Sequence, residues 1–260
     1  MIASAADKAL QLLPLPGLPL VRPGDDLAEL IAEALARGSV TLRADDVVAV
    51  AQKIVSKAEN RAVALDTVVP SARAVALGAE IGKDARLVEV ILSESVRVVR
   101  SRPNLLITEH RLGFVMANAG VDHSNVAAPG EPDQVLLLPL DPDASAARLR
   151  AGLAARFGVA PGVVVTDSFG RPWRRGTCGV AIGAAGIASL IDMRGKPDLF
   201  GRTLEVTIIA RADEIAAAAG LLQGQAGEGR PVVLLRGLAP EAPILPAAAL
   251  VRPAAEDLFR

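Results

Sequence analysis

Two aspartates in this chain stand at the ends of apolar runs, where catalytic and metal-binding groups are commonly placed. Asp167 closes "VVVT" and is followed by Ser168, and Asp122 closes "NAGV" and is followed by His123, Ser124 and Asn125. Magnesium and manganese take carboxylate oxygens together with substrate phosphates, and usually need only one or two protein carboxylates. Two such Asp residues, each backed by hydroxyl or amide groups, are sufficient for a metal–nucleotide site. Either one alone reads first as a turn or helix cap.

Positive charge gathers nearby. Arg171, Arg174 and Arg175 put three fixed cations beside Asp167, with the chain's one tryptophan, Trp173, among them. Arginine suits bidentate capture of phosphate or carboxylate. A solvated charge run is the plain alternative, but a lone loop tryptophan tends to pack against something. Lys53 and Lys57 in "QKIVSK" follow a strand-like run, within reach of nucleotide phosphates. The loop from Gly224 to Gly229 offers backbone N–H groups of the kind that cradle phosphate, or is simply a surface loop. His123 reads as solvent-facing before acid, base or ligand. Cys178 has no evident catalytic partner, and Asp141, Asp143, Asp213 and Glu214 read as helix caps. Walker A, GxGxxG, HExxH and GxSxG patterns are absent, and "GVAIGAAG" reads as close packing of small residues.

Those side chains need a frame. "PGDDLAELIAEALARG" predicts a helix with an acidic start and Gly38 at its end. "DDVVAVA" is a buried-type strand leading into the polar segment "QKIVSK". Helices are expected over 71–82 and 84–99, then a hairpin in "NLLITEH-RLG-FVMANAG". "QVLLLPL" predicts a strand, "DPDASAARLRAGLAARFG" a helix, and "RTLEVTIIA", "ADEIAAAAGLLQG" and "VVLLRG" a strand, a helix and a strand. The mixture predicts an α+β or mixed α/β fold, with mixed sheets and flanking helices. Residues 1–238 read as one catalytic domain, with two interleaved subdomains allowed, and 239–260 as a peripheral Pro/Ala-rich tail.

Composition narrows the class. Apolar residues form 51 % of the 260 and aromatics 2 %, so the core must be aliphatic. A net charge of −1 without a basic run argues against nucleic acid or an anionic membrane as partner. The single cysteine excludes an internal disulfide. The N-terminal stretch does not read as a signal peptide, and no uncharged apolar run reaches spanning length. A soluble, cytoplasmic protein is expected.

Taken in order, "GLPLV", "IVSKAENR", "NAGVDHSN", "LLLPLDPDASA", "VVVTDSFGRPWRRGTCGVAIGAAG", "DLFGRTLEVT" and "ADEIAAAAGLLQGQAGEGRPVVLLRGL" closely resemble one family. This is the F420-0:γ-glutamyl ligases, which add glutamate to the deazaflavin coenzyme F420. The resemblance implies a GTP-dependent, amide-forming ligase working through an acyl phosphate, and a homodimer. It implies two Mg2+ or Mn2+ ions, with K+ as a further cation, held by Asp122, Asp167, Ser168 and the loop. It gives Gly17, Leu18, Pro19, Leu20, Lys57 and Asn125 to the nucleotide, with Gln52 and Lys53 at nucleotide-facing positions where the family carries hydroxyl residues. The loop Gln223, Gly224, Gln225, Ala226, Gly227, Glu228, Gly229 and Arg230 would wrap nucleotide and metals. Family members carry a carboxylate where this chain has Gln225, so either the Gln225 amide or Glu228 must serve there. Arg171, Arg174 and Arg175 would hold the anionic substrates, F420-0 and L-glutamate. The same Asp pair could also equip a metal-dependent nucleotide phosphohydrolase, or a non-catalytic nucleotide- or deazaflavin-binding protein.

Overall fold

The computed structural model describes residues 9–126 and 132–258; residues 1–8 of the N-terminal stretch lie outside it. In chain order the elements begin with β1 (Gln11–Pro14), α1 (Leu27–Arg37), β2 (Val47–Ala51), α2 (Gln52–Ala58) and β3 (Ala62–Ala64). Next come α3 (Ala72–Ile81), α4 (Ala85–Ser93), β4 (Ser95–Arg102), β5 (Leu105–His110), β6 (Val115–Ala117) and β7 (Gln134–Leu136). The second half has α5 (Pro142–Phe157), β8 (Gly162–Gly170), β9 (Thr177–Ala185), β10 (Ile191–Asp192), β11 (Ile208–Ile209), α6 (Arg211–Gln223) and β12 (Val232–Arg236).

The main sheet has the order β1-β12-β2-β8-β9. β2 and β8 run parallel, and the other pairings are antiparallel. Its strands are apolar at nearly every position because both faces are covered. On one face Val48, Val50, Val163, Val165 and Leu234 pack on Ile31 and Leu35 of α1 and on Leu149 and Leu153 of α5. On the other, Val164, Val233 and Leu235 pack on the alanine-rich side of α6. A second unit sets α3 and α4 against β4-β5-β6, with the small β3–β7 pair beside it. This is the mixed α/β architecture expected, and among the described residues no helix is long and apolar enough to cross a membrane.

Several local expectations change. Residues 84–99 are not one helix: α4 ends at Ser93 and β4 starts at Ser95. Val96, Val98 and Val99 are β-branched, and pairing with β5 outweighs the helical spacing read there. "QKIVSK" is a helix. Strand structure in "RTLEVTIIA" is confined to Ile208–Ile209.

"GTCGVAIGAAG" is the edge strand β9, and its small residues do serve packing. A Cβ on Gly179 would strike the Ala216 carbonyl of α6, and one on Gly183 the Pro142 carbonyl of α5. Asp143 and Asp213, expected as caps, do something else. Asp213 accepts the Ala181 N–H at 2.9 Å and Asp143 the Ala184 N–H at 2.7 Å. The two helices thus satisfy N–H groups along an edge that would otherwise invite another strand. Asp141 does cap α5 through the Ala144 N–H. Asp143 also accepts the N–H groups of Ala247 and Ala248, and Ala247 is fully buried, so the C-terminal segment is anchored to the sheet rather than peripheral.

Candidate functional site

Strand directions bring the candidate residues to one edge of the main sheet. β2 and β8 end there, β1 ends there in parallel with them, and β12 and β9 begin there. The segments beyond those ends are therefore neighbours: 17–20 after β1, α2 after β2, Asp167 and Ser168 in the outer part of β8, and the loop 223–231 before β12. Ligand sites form outside the carboxyl ends of parallel strands for this reason. A cavity of about 470 Å3 lies at this edge.

Asp122 comes from the second unit. Asn118, Ala119 and Gly120 have φ of 52°, 52° and 66°, three successive left-handed residues that turn the chain sharply after β6. Asn and Gly adopt this conformation readily and Ala does not, and a Cβ at Gly120 would also crowd Leu138. The turn delivers Asp122 to a two-way backbone pairing with Leu136, at 2.9 and 2.8 Å. Its Oδ1 then accepts the N–H and the hydroxyl of Ser124, at 2.9 and 2.8 Å.

The two lysines of α2 are four residues apart, hence on one helix face. Lys53 Nζ is 2.8 Å from Asp122 Oδ2, and donates to the Ser124 carbonyl at 3.1 Å and hydroxyl at 2.9 Å. Lys57 donates to the Asn125 carbonyl at 2.7 Å. The Asn125 amide in turn donates to Ala226 O at 3.1 Å, joining this segment to the glycine-rich loop.

Across the cleft, Asp167 Oδ1 accepts the Ser168 N–H at 2.8 Å. Burial pushes the Asp167 carboxyl up to about 6; the Asp122 charge adds to the rise, while the Ser168 N–H and Lys53 oppose it. The Ser168 hydroxyl donates to Gln225 Oε1 at 2.6 Å. Thr166 donates to Gln223 Oε1 at 3.1 Å, and Gln223 Nε2 reaches Pro231 O, which ties both ends of the loop.

Leu18, Pro19, Leu20, Gln52, Lys53, Lys57, Asp122, Ser124, Asn125, Asp167, Ser168, Gln223, Gly224, Gln225, Ala226, Gly229 and Arg230 all line this one cavity. Gly17 does not; its carbonyl accepts from Arg37 at 3.0 Å. The Gln52 side chain faces inward, to Leu137 O and Ser56 Oγ, so only the rest of the residue faces the cleft. Gly227 and Glu228 are outside the lining. The Glu228 carboxylate folds back on the Ala226 N–H at 2.8 Å and on the Gly224 backbone, where a Cβ would collide with it. That N–H and its neighbours hold Glu228 below the usual carboxylate range. The side chain aimed at Ser168 is therefore that of Gln225.

Arg171 reaches the Gly176 carbonyl at 3.4 Å, and Arg174 and Arg175 are exposed, with no hydrogen bond or ion pair to the described residues. His123 is bound to Asp133 at the surface. Cys178 is outside the cavity lining. Sequence reading missed Thr166 and Thr177, which also line the cavity. The alternation of β8 and β9 could have pointed to them, had "GTCG" been recognised as a strand.

The donors gathered here are two carboxylates, hydroxyls and an amide oxygen, all hard ligands. Among the described residues no cluster of three or more His, Cys, Asp or Glu that could hold a metal ion forms. A half-buried Asp167 carboxylate, its pKa pushed up by desolvation and by the Asp122 charge, sits among hard oxygen donors of the kind that can accept a divalent cation.

Fold and cleft together define a mixed α/β enzyme with its site at one sheet edge. The family model for F420-0:gamma-glutamyl ligase matches residues 17–237, and the chain belongs to that family. It is 50 % identical over 255 residues to the coenzyme F420:L-glutamate ligase of Methanopyrus kandleri, covering 96 % of this chain and 98 % of that one. The ligases of the same name from Methanothermobacter thermautotrophicus and Archaeoglobus fulgidus are 42 % and 45 % identical. They cover 96 % and 88 % of this chain, and 99 % and 88 % of their own lengths.

Proposed function

We propose that this chain joins L-glutamate to coenzyme F420-0, and to F420-1, by an amide bond at the expense of GTP. The observation that carries the reading is the convergence of Asp122, Asp167, Lys53, Lys57 and the loop 223–230 on one cavity, in a chain of this family. A carboxylate does not condense with an amine in water at useful rates. Transfer of the γ-phosphoryl group from GTP to the acceptor carboxylate gives an acyl phosphate and GDP. The glutamate amine then attacks the acyl carbon, phosphate leaves with its electron pair, and the amine loses a proton.

Asp122 and Asp167 would hold Mg2+ or Mn2+, with Ser168 Oγ and Gln225 Oε1 as neutral oxygens beside them. The bound metal would spread the charge on the transferring phosphoryl group. Lys57 and the N–H groups of the glycine-rich loop hold phosphates in place. Lys53, already on Asp122, fixes that carboxylate's orientation. Arg171, Arg174 and Arg175 hold the anionic tail of the acceptor or the carboxylates of glutamate. Positioning and electrostatics supply the catalysis, so no nucleophilic side chain is needed. A homodimer in the cytoplasm, with K+ as an added cation, completes the proposal.

The test is purified protein with F420-0, glutamate, GTP or ATP and Mn2+, with products read by mass. A gain of one glutamyl unit with stoichiometric nucleotide cleavage is expected. Nucleotide cleavage without glutamate uptake would make the chain a phosphohydrolase, and ligand binding with neither would make it a non-catalytic binding protein.

A further inference from the structure

The β8–β9 hairpin runs well past its neighbour. β2 stops opposite Thr166, whereas β8 and β9 continue through four more pairs, from Asp167↔Val180 to Gly170↔Thr177. At about 3.3 Å per residue this two-stranded ribbon projects roughly 13 Å beyond the sheet. Ser168, Thr177 and Gly179 on the ribbon line the cavity, and Thr177 belongs to its last pair, so the tip 171–176 adjoins the cavity lining.

At that tip is Trp173, the chain's only tryptophan, in a protein with 2 % aromatic residues. It is 90 % exposed, and its φ of 65° is left-handed, a conformation a bulky side chain adopts only under constraint. Among the described residues nothing covers this ring, and the backbone is strained to present it. Arg174 and Arg175 follow it directly, both exposed. A cavity of about 470 Å3 accommodates one ligand of nucleotide size. A second substrate must then extend beyond the cavity, and the turn that carries Trp173 adjoins the lining at Thr177.

We propose that Trp173 is the stacking platform for the planar fused ring of the acceptor, with its anionic tail passing Arg174 and Arg175 into the cleft. This rests on the reading of the chain as a ligase for a deazaflavin acceptor. An indole face suits such a ring, as it suits nucleic-acid bases. Because the ring lies far from the bond being made, the contact acts equally on bound substrate and transition state, and so sets affinity rather than turnover.

The experiment measures KM and equilibrium Kd for F420-0 in wild type and in the Trp173→Ala, Trp173→Leu and Trp173→Phe variants, alongside KM for GTP and glutamate. Trp173→Ala and Trp173→Leu are expected to raise KM and Kd for F420-0 roughly tenfold, with kcat within about twofold. Trp173→Phe should restore most of the affinity, and KM for GTP and glutamate should not move. Unchanged F420-0 affinity in Trp173→Ala, or equal loss in the Phe and Ala variants, would overturn the proposal. So would a Trp173→Ala protein that changes oligomeric state, with F420-0 affinity following protein concentration, because the ring would then pack on a second copy. Failure of the ligase reading shows separately, as wild type making no glutamylated product; the Kd comparison still decides whether Trp173 holds the ring.

Discussion

Asp167 is half-buried in the cavity wall, and its carboxylate holds one backbone N–H and, among the described residues, no ion pair. With a folded pKa of about 6 against the ordinary 3.8, it binds more protons folded than unfolded between those values. Its contribution to stability is therefore full below about pH 3.8 and is lost as pH rises through about 6. In metal-free protein at neutral pH the ionised group is a cost. Asp167→Asn keeps the shape and removes the charge, so above about pH 6 it should stabilise the metal-free protein by roughly 1–2 kcal/mol, the value discounted for partial exposure, or about 2–8 °C in Tm, with the gain vanishing near pH 4. The same variant should abolish glutamyl transfer. Thermal unfolding in EDTA across that range, paired with a turnover assay, checks both; wild-type turnover would show that the Asp167 charge takes no part in the reaction. At the ribbon tip, replacing Arg174 or Arg175 with Ala should raise KM for F420-0 or glutamate about tenfold in steady-state kinetics, the scale of one charge-assisted hydrogen bond. A variant altered only in Tm would show a structural role.

Among the elements, the part least visible in the sequence is the junction beneath Asp122. Glu94, just after α4, is nearly buried and meets Arg61 at 3.1 Å, Arg111 at 3.2 Å and the fully buried His110 at 3.4 Å. His110 Nδ1 accepts the Leu112 N–H at 3.0 Å, which leaves its Nε2 toward Glu94. Arg61 also holds Leu138 O, and Arg111 holds Leu140 O, so the network anchors the strand whose Leu136 pairs with Asp122. Burial alone would raise the Glu94 carboxyl, but His110, Arg111 and Arg61 together hold it at about 2, against an ordinary 4.5. It thus binds fewer protons folded than unfolded, so its stabilisation is full above pH 4.5 and fades as pH falls toward 2. Glu94→Gln should cost about 2–3 kcal/mol at pH 7, and the gap from wild type should close near pH 2 in urea unfolding. A gap that stays constant with pH would assign the loss to packing. None of this was legible, because it depends on residues brought together from four segments. Asp143 and Asp213 were misread for the same reason: a carboxylate in a first helical turn looks like a cap until the edge strand beside it is known. Asp167 and Asp122, by contrast, were legible locally, as polar residues ending apolar runs. β4 was hidden by arginines spaced so that its valines mimic a helical stripe.

In the whole molecule, the cleft lies between the main sheet, which supplies Asp167, α2 and the glycine-rich loop, and the second unit, which supplies Asp122 and Asn125. Order along the chain made the membership of the site legible, but not its closure: Lys53 meets Ser124 from 71 positions away, and Asn125 meets Ala226 from 101. A ligand held by both sides stabilises the native state in proportion to its binding. At about a hundredfold excess over Kd the gain is about 2.7 kcal/mol. For a chain of this size each kcal/mol is worth about 2–4 °C, so GTP with Mn2+ should raise Tm by about 5–10 °C. GTP in EDTA should give a clearly smaller rise, because its phosphates then face the Asp122 and Asp167 charges without an intervening cation. On the proposed metal site, Asp122→Asn and Asp167→Asn should each weaken the metal-dependent part, since each removes one of the two charges that would hold the ion. Thermal scans of the three proteins with GTP, Mn2+, both and neither separate these terms. An equal rise with and without metal would mean that the lysines and the loop hold the nucleotide by themselves, and that the two aspartates do not share a metal with it.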